Sequence, residues 1–158
     1  MSTVAWRELA TSDPALEDDV SQKLAEIERA LSDATVSDFP LLQESAGYLL
    51  AAGGKRVRPL LVVLGGHFGD PSDARLVTVA VAVELTHLAT LYHDDVIDEA
   101  KTRRGIPSAN ARWDNTVAIL TGDYLFARAS EISSGLGTDI TRVLARTIAD
   151  VSEGQIRE

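Results

Sequence analysis

The stretch LVTVAVAVELTHLATLYHDDVID, residues 76–98, decides the fold class of this chain. Its apolar side chains, among them Leu76, Val83 and Leu91, form a stripe with the 3.6-residue period of an α-helix. The first part, Val77–Val83, is rich in β-branched residues and alternates as a β-strand would. Because the helical stripe continues through that part, we predict one long helix rather than a strand.

Helical periods also cover most of the remaining chain, and Gly and Pro residues separate them. We expect these helices at Leu16–Leu31 after Ser12-Asp13-Pro14, Pro40–Ala52, Leu60–Phe68 with Pro59 at its start, Leu76–Asp98 with Ser72 as N-cap, Thr116–Ser133, and from a Thr138 cap onward. Residues 103–107 are predicted to form a loop. No internal repeat or long linker divides the chain, so the prediction is a single all-α domain.

The bulk properties exclude several classes of protein. A chain of 158 residues with 45% hydrophobic residues can bury a sizeable core. The net charge of −9 is the opposite of a nucleic-acid-binding footprint, and the absence of cysteine excludes disulfides and thiolate metal sites. The apolar runs Leu60–Leu64 and Leu76–Val83 fall short of the ~20 residues of a membrane span. Without a signal-peptide pattern at the N-terminus, we expect a cytoplasmic protein with no transmembrane segment.

Three aspartates, Asp94, Asp95 and Asp98, end the predicted long helix. Asp94 and Asp98 are four residues apart and therefore lie on the same helix face, where they repel each other unless a cation lies between them. Magnesium prefers oxygen ligands and often takes one or two carboxylates together with substrate phosphates. We predict Asp94 and Asp98 as metal ligands, with Asp95 as a further ligand or a supporting group. The alternative is a solvated acidic turn, which the helix dipole disfavours.

Two basic segments flank this helix in the sequence. GGKRVRP at residues 53–59 places three cations just before a helix start, and TRRGIP at residues 102–107 follows the aspartates. Helix N-termini with Lys and Arg bind anions, although the first segment lacks the spacing of a Walker A loop. Either segment alone could be a solvated basic turn. His87, on the apolar side of the helix, is likewise either a core residue or a functional one. Together, the acidic stripe and two basic segments match one metal-bound and one metal-free diphosphate.

The ordered set of motifs resembles the trans-type isoprenyl diphosphate synthases. The matching segments are GGKRVRP (53–59), ELTH (84–87), DDVID (94–98), RRG (103–105), GDYL (122–125) and EGQ (153–155). The resemblance implies an antiparallel helical bundle of the isoprenoid synthase type. It also implies a Mg²⁺-dependent prenyltransferase that condenses an allylic diphosphate with isopentenyl diphosphate, and a homodimer.

The resemblance assigns roles to the residues of these motifs. Asp94 and Asp98, supported by Asp95, would be the catalytic residues that bind Mg²⁺ on the allylic diphosphate, and Arg103 would hold the same diphosphate. Isopentenyl diphosphate would be held by Lys55, Arg58, His87 and Arg104. Arg56 lies within the first basic segment, but we assign it no ligand.

The positions one to two turns before the aspartates bear on product length. In this family, bulky side chains there close the tunnel that receives the growing chain. Ala89, Thr90 and the more distant Thr86 are not aromatic, so a long polyprenyl product, such as a quinone side-chain precursor, is expected. Family members are about twice as long and carry a second aspartate-rich motif, which nothing after Asp123 supplies. We therefore expect residues 1–158 to be the N-terminal portion of one synthase domain, inactive alone.

Three alternatives to a long-chain synthase remain at this point. The chain could belong to a non-catalytic helical subunit of a heteromeric prenyl synthase, although such a subunit has no need of an aspartate stripe. A short-chain, geranylgeranyl-type synthase would carry the same motifs. A terpene cyclase shares the fold but lacks the second, isopentenyl diphosphate site.

Overall fold

The computed structural model of the chain describes residues 13–158. Ser12 lies outside the described residues. So does most of the N-terminal segment, which shows no signal-peptide pattern. Within them, seven helices and one short hairpin occur, which confirms the all-α prediction. The elements are α1 (Pro14–Ala34), α2 (Pro40–Ala51), α3 (Val57–Gly66), α4 (Arg75–Ile97), β1 (Thr102–Arg103), β2 (Ile106–Pro107), α5 (Ala109–Arg112), α6 (Asn115–Ser134) and α7 (Thr138–Arg157).

Helix α4 is the central element of the bundle, with α1, α3 and α6 packed against it. Its side chains Leu85, Leu88 and Tyr92 are fully buried. By length and composition alone, α4 could cross a membrane, although the apolar runs in the sequence are shorter than a membrane span. Half of the most apolar window of α4 is buried inside the protein. The position of α4 in the core therefore accounts for its composition.

The N-terminus of α1 is capped by Asp13, which belongs to the segment predicted to precede the helix. Asp13 accepts hydrogen bonds from the backbone N–H groups of Ala15, at 3.0 Å, and Leu16, at 3.2 Å, and Pro14 occupies the first helical position. The buried side chains of α1 are Val20, Leu24, Ile27, Leu31 and Ala34. This apolar face packs α1 against α3 and α4, which brings the more polar Glu28 near the start of α3.

The starts of α3, α4 and α7 differ from the prediction in position or in capping residue, whereas α1 and α6 begin within two residues of the predicted starts. Helix α3 begins at Val57 rather than Leu60, because Arg56 adopts a left-handed conformation that turns the chain into the helix earlier. Helix α4 begins at Arg75, and Ser72 is not its N-cap, since the Ser72 hydroxyl bonds to Asp70 at 2.6 Å instead. Helix α7 begins at Thr138 itself, with Gly137 in the cap position.

A two-stranded hairpin occupies the segment that we predicted to be a loop. Arg103 pairs with Ile106, which leaves Arg104 and Gly105 as the two turn residues. Their φ angles of 54° and 79° are both positive, as a type I′ hairpin turn requires. Strands of two residues are too short to produce a visible alternation in the sequence, and the four-residue helix α5 was missed for the same reason.

Candidate active site

The C-terminal end of α4 presents two accessible carboxylates. Asp98 is exposed and Asp94 is half-buried, and the Asp98 N–H donates to the Asp94 carbonyl at 2.8 Å, which continues the helix to Asp98. Burial raises the pKa of Asp94, and the negative charge of Asp98 raises it further. A bound cation would relieve both effects. Residues 13–158 contain no cluster of three or more possible metal ligands. Magnesium often takes only one or two carboxylates and obtains its remaining oxygens from water and phosphate.

Asp95 points the other way, into the protein, and is fully buried. Arg103 Nε and Nη2 each lie 2.7 Å from Asp95 Oδ1. The Asp95 backbone carbonyl accepts hydrogen bonds from Ala100 N and from Asn110 Nδ2, which ties the helix end to the segment around the hairpin. Of the two roles predicted for Asp95, this geometry favours the supporting one, since its carboxylate holds Arg103 rather than facing Asp94 and Asp98.

A second, cationic pocket of about 340 Å³ lies beside the start of α3. It brings together all four residues predicted to hold isopentenyl diphosphate, although they come from separate parts of the chain. Its principal lining side chains are Lys55, Arg58, His87, Arg104, Arg56 and Glu84. Each basic segment alone could have been a solvated turn, but cations from both segments line one pocket.

The hairpin turn reaches this pocket through Arg104. Arg104 Nη1 donates to the carbonyl of Leu49, at 2.7 Å, and to that of Gly53. Burial lowers the pKa of Arg104, and repulsion from Arg56 lowers it further. Nearby, the Tyr48 hydroxyl donates to the Pro107 carbonyl at 2.9 Å. The end of α2 therefore anchors the hairpin from both sides of its turn.

His87 is half-buried and lines the pocket, so the interpretation as a core histidine is not supported. Burial lowers its pKa to about 4, and the positive charges of Arg58 and Arg104 act in the same direction. The ring is therefore neutral at neutral pH. A neutral imidazole can donate one hydrogen bond to a phosphate oxygen without adding charge to the pocket.

An apolar groove of about 360 Å³ lies between α4 and α7 and shares Arg58 and His87 with the cationic pocket. The positions that line it include Val79, Val83, Thr86, Thr90, Val143 and Leu144. Ala89 is fully buried in the core and is not among the lining residues. Of the three positions expected to bear on product length, Thr86 and Thr90 line this groove, whereas Ala89 packs into the core.

Two residues of the sequence motifs have structural roles that periodicity did not reveal. Glu84 is almost fully buried, and its carboxylate pairs with Arg56, which is itself 3% exposed. Gly122 lies against His93: a Cβ at Gly122 would come within 2.4 Å of His93 Nε2. The available signal was a charged residue on an apolar helix face for Glu84, and a glycine inside a helix for Gly122.

The comparison with protein families decides the classification. A family model described as Polyprenyl synthetase matches residues 39–158 of the chain. The chain belongs to the polyprenyl synthetase family. It is 50% identical over 136 residues to a nonaprenyl diphosphate synthase of Mycobacterium tuberculosis, a match that covers 85% of the chain and 41% of the relative. It is 48% identical over 140 residues to heptaprenyl diphosphate synthase component 2 of Geobacillus stearothermophilus, covering 88% and 44%.

Solved structures of this family share the fold. The decaprenyl diphosphate synthase of Rhodobacter capsulatus matches with a TM-score of 0.84 and 35% identity over 90% of the chain and 44% of that protein. A geranylgeranyl pyrophosphate synthase of Corynebacterium glutamicum, complexed with calcium and isoprenyl diphosphate, matches with a TM-score of 0.82 and 44% identity, covering 94% and 45%. The polyprenyl synthetase fold is therefore confirmed, and the chain spans less than half the length of these relatives.

Proposed function

We propose that the protein to which this chain belongs elongates an allylic diphosphate with isopentenyl diphosphate. The observation that carries the proposal is the separation of an acidic helix end from a cationic pocket on one helix bundle. Asp94 and Asp98 end α4, whereas Lys55, Arg58, His87 and Arg104 line a distinct pocket whose one carboxylate, Glu84, is paired with Arg56. Two diphosphates, one held through a metal and one held without it, are the substrates that such a pair of sites suits.

The allylic diphosphate would be held at the aspartate end of α4. Asp94 and Asp98 would bind Mg²⁺, which neutralises the charge that develops on the departing diphosphate. Arg103, fixed by the buried Asp95 carboxylate, would donate to the same diphosphate from a set position. Donors that are oriented before the reaction stabilise developing charge without reorganising during it.

Isopentenyl diphosphate would occupy the cationic pocket, with its hydrocarbon end toward the apolar groove that shares Arg58 and His87. The allylic carbon–oxygen bond breaks, the alkene carbon of isopentenyl diphosphate forms the new carbon–carbon bond, and one proton is lost. No protein nucleophile is required. The protein's own contribution is to bind and orient two anions whose mutual repulsion the cations offset.

We infer a long-chain product from the residues along the groove. Thr86 and Thr90 present small side chains to it, and Val79 and Val83 continue the same wall without an aromatic residue. The relatives named nonaprenyl and decaprenyl diphosphate synthase support this choice over a geranylgeranyl-type product. A growing chain would extend along α4 between that helix and α7.

The partner of the full protein is a further proposal. A homodimer is the expectation from the family, but one relative is named component 2 of a heptaprenyl diphosphate synthase. Sedimentation of the purified full-length protein at several concentrations separates the two cases. Activity that requires a second polypeptide would favour the heteromeric arrangement. A cytoplasmic location stays a prediction.

The test of the proposed function is a prenyl-transfer assay with the full-length protein, Mg²⁺, an allylic diphosphate and labelled isopentenyl diphosphate. Incorporation of label into longer prenyl diphosphates, lost in EDTA and reduced at least about a hundredfold by Asp94→Ala, is expected. The matched control is Asp139→Ala at the exposed start of α7, which should keep full activity. Cyclisation or hydrolysis of the allylic diphosphate without consumption of isopentenyl diphosphate would contradict the proposal.

A further inference from the structure

Arg56 differs from the other cations of the segment GGKRVRP. Lys55 and Arg58 are exposed and line the cationic pocket, whereas Arg56 is 3% exposed and its guanidinium lies inside the protein. Burial of Arg56 between two other cations is unfavourable unless its charge is compensated, because like charges at this spacing repel each other. The groups that surround its side chain provide that compensation.

Two carboxylates from different helices hold the Arg56 guanidinium. Glu28 of α1 accepts from Nε with one oxygen and from Nη2, at 3.3 Å, with the other. Glu84 of α4 accepts from Nη1 at 3.2 Å, and the Leu50 carbonyl at the end of α2 accepts from Nη2 at 3.3 Å. This planar fork therefore joins three helices through one side chain, a geometry that lysine cannot reproduce.

The backbone of the segment depends on the same guanidinium. Arg56 has φ 50° and ψ 36°, a left-handed conformation that residues with a Cβ adopt only where their surroundings enforce it. At Gly54, an added Cβ would lie 2.6 Å from Arg56 Nη1 and 3.1 Å from Arg104 Cζ. The backbone at Gly54 therefore lies in close contact with the guanidinium groups of Arg56 and Arg104.

We propose that Arg56, clamped by Glu28 and Glu84, is a positioning residue that presents Lys55 and Arg58 to the metal-free diphosphate. This inference rests on the proposed function. Arg56 itself does not contact the substrate in this arrangement. Its side chain fixes the turn from which the two neighbouring cations extend, and Glu84 supplies the buried negative charge that keeps Arg56 in place among them.

Glu84 could act through its negative charge or through its contact with Arg56, and the two roles predict opposite effects of Glu84→Gln on diphosphate binding. If Glu84 acted only through its charge, Glu84→Gln would remove a negative group from the pocket wall and tighten diphosphate binding. If Glu84 holds Arg56, the same change loosens the clamp and weakens binding. Arg56→Lys isolates geometry in a second way, because it keeps the positive charge but cannot bridge Glu28 and Glu84.

The experiment measures the dissociation constant of the full-length protein for isopentenyl diphosphate, by calorimetry in EDTA without an allylic substrate. We expect Arg56→Lys to raise it about tenfold, since charge-assisted hydrogen bonds of the clamp are lost, and Glu84→Gln to raise it severalfold. With both substrates and Mg²⁺, the KM for isopentenyl diphosphate should rise while the KM for the allylic diphosphate stays within about twofold. The matched control is Arg75→Lys, an exposed arginine paired with Asp73.

An unchanged dissociation constant for Arg56→Lys, or tighter binding for Glu84→Gln, would overturn the inference. Should Arg56→Lys fail to fold, Glu28→Gln decides the question, because the Glu28 side chain is 37% exposed and does not line the pocket. Binding weakened severalfold by Glu28→Gln supports the clamp, and unchanged binding refutes it. If the wild-type protein binds no isopentenyl diphosphate, the proposed function itself fails, which is a separate outcome.

Discussion

Arg103 Nε and Nη2 both lie 2.7 Å from a single oxygen of Asp95, a carboxylate that is fully buried in α4. The neighbouring Asp94 is half-buried at the accessible end of the same helix. Adjacent aspartates on a helix point about 100° apart, so one can face solvent while the other faces the protein. The two aspartates therefore have different roles. Asp94 is available to a cation, whereas Asp95 holds Arg103 in place.

This division predicts different magnesium dependences for the two aspartates. In the full-length protein, Asp94→Asn should raise the Mg²⁺ concentration for half-maximal activity by about tenfold or more, because a ligand is lost. Asp95→Asn should lower kcat/KM for the allylic diphosphate by about 10- to 100-fold through loss of a charge-assisted hydrogen bond to Arg103, with the Mg²⁺ requirement unchanged. Magnesium titrations of steady-state rates measure both. A shifted Mg²⁺ requirement in Asp95→Asn would show that Asp95 is a ligand.

The depressed pKa of His87 predicts a pH dependence of stability. Burial and the charges of Arg58 and Arg104 lower this pKa from 6.5 to about 4 in the folded chain. Between these values the unfolded chain binds a proton that the folded chain does not bind, so the free energy of unfolding falls as the pH decreases from about 6.5 to about 4. Below about 4 this contribution changes no further.

The measurement compares urea unfolding of the wild type and His87→Gln at pH 7.5 and pH 5. The wild type should lose about 1 kcal/mol or more of stability relative to the variant over this range, after allowance for solvent screening at the half-buried ring. His67→Gln, which replaces a histidine paired with Asp19 at the surface, serves as the control. If the free energy of unfolding changes with pH in the same way in the wild type and in His87→Gln, the lowered pKa of His87 is contradicted.

The groove between α4 and α7 predicts which substitution shortens the product. Thr90 lines it, so Thr90→Phe should place an aromatic ring in the path of the chain and shift the products of the full-length enzyme toward shorter prenyl diphosphates. Ala89 is fully buried and does not line the groove. Ala89→Phe should instead overpack the core and destabilise the fold by at least about 1–3 kcal/mol.

Product sizing by chromatography and thermal unfolding of both variants provide the comparison. Unchanged product length in a stable Thr90→Phe enzyme would show that the growing chain does not follow this groove. Short products from a stable Ala89→Phe enzyme would show that the core face of α4 opens to the substrate.

The contact between Gly122 and His93 predicts that a side chain added at Gly122 displaces the His93 ring. Gly122→Ala would bring a methyl group to 2.4 Å from His93 Nε2, whose present partners are the Ile119 carbonyl and Asp123. We expect a loss of about 1–3 kcal/mol in stability and lower Mg²⁺-dependent activity, since His93 immediately precedes a proposed ligand. Gly154→Ala is the matched control, because nothing lies within 4 Å of its added Cβ and alanine favours the helix.

Thermal unfolding and magnesium titration of the two variants test this contact. A Gly122→Ala protein as stable and as active as Gly154→Ala would mean that the side chain of His93 moves aside without consequence.

Sequence periodicity predicted the long helices because their apolar residues recur with the helical period, as the buried face of α1 shows. The cap at Asp13 was predictable from local chemistry, and the convergence of Arg58 and Arg104 on one pocket followed from the family resemblance rather than from spacing. What could not be predicted was non-local pairing. Arg56 pairs with Glu28 and Glu84, each 28 residues away, and no periodic pattern encodes such a partner.

The different surroundings of Ala89 and Thr90 could not be predicted for a similar reason. Helix α4 carries apolar residues on nearly all of its faces, so the sequence does not show which small residues meet the core and which meet a groove. Ala89 and Thr90 are adjacent and both small, yet only the second lines the cavity. Only the packing of neighbouring helices distinguishes them.

The type I′ turn at Arg104 and Gly105 has a consequence for how the two anion sites relate in space. Arg103 is tied to the end of α4 and Arg104 to the end of α2, and a single peptide bond joins them. Covalent geometry therefore limits how far the two sites can separate, and an insertion between the two arginines would disrupt both sites at once. Side chains along the groove can change without affecting either contact, whereas the spacing of these two arginines leaves no such latitude.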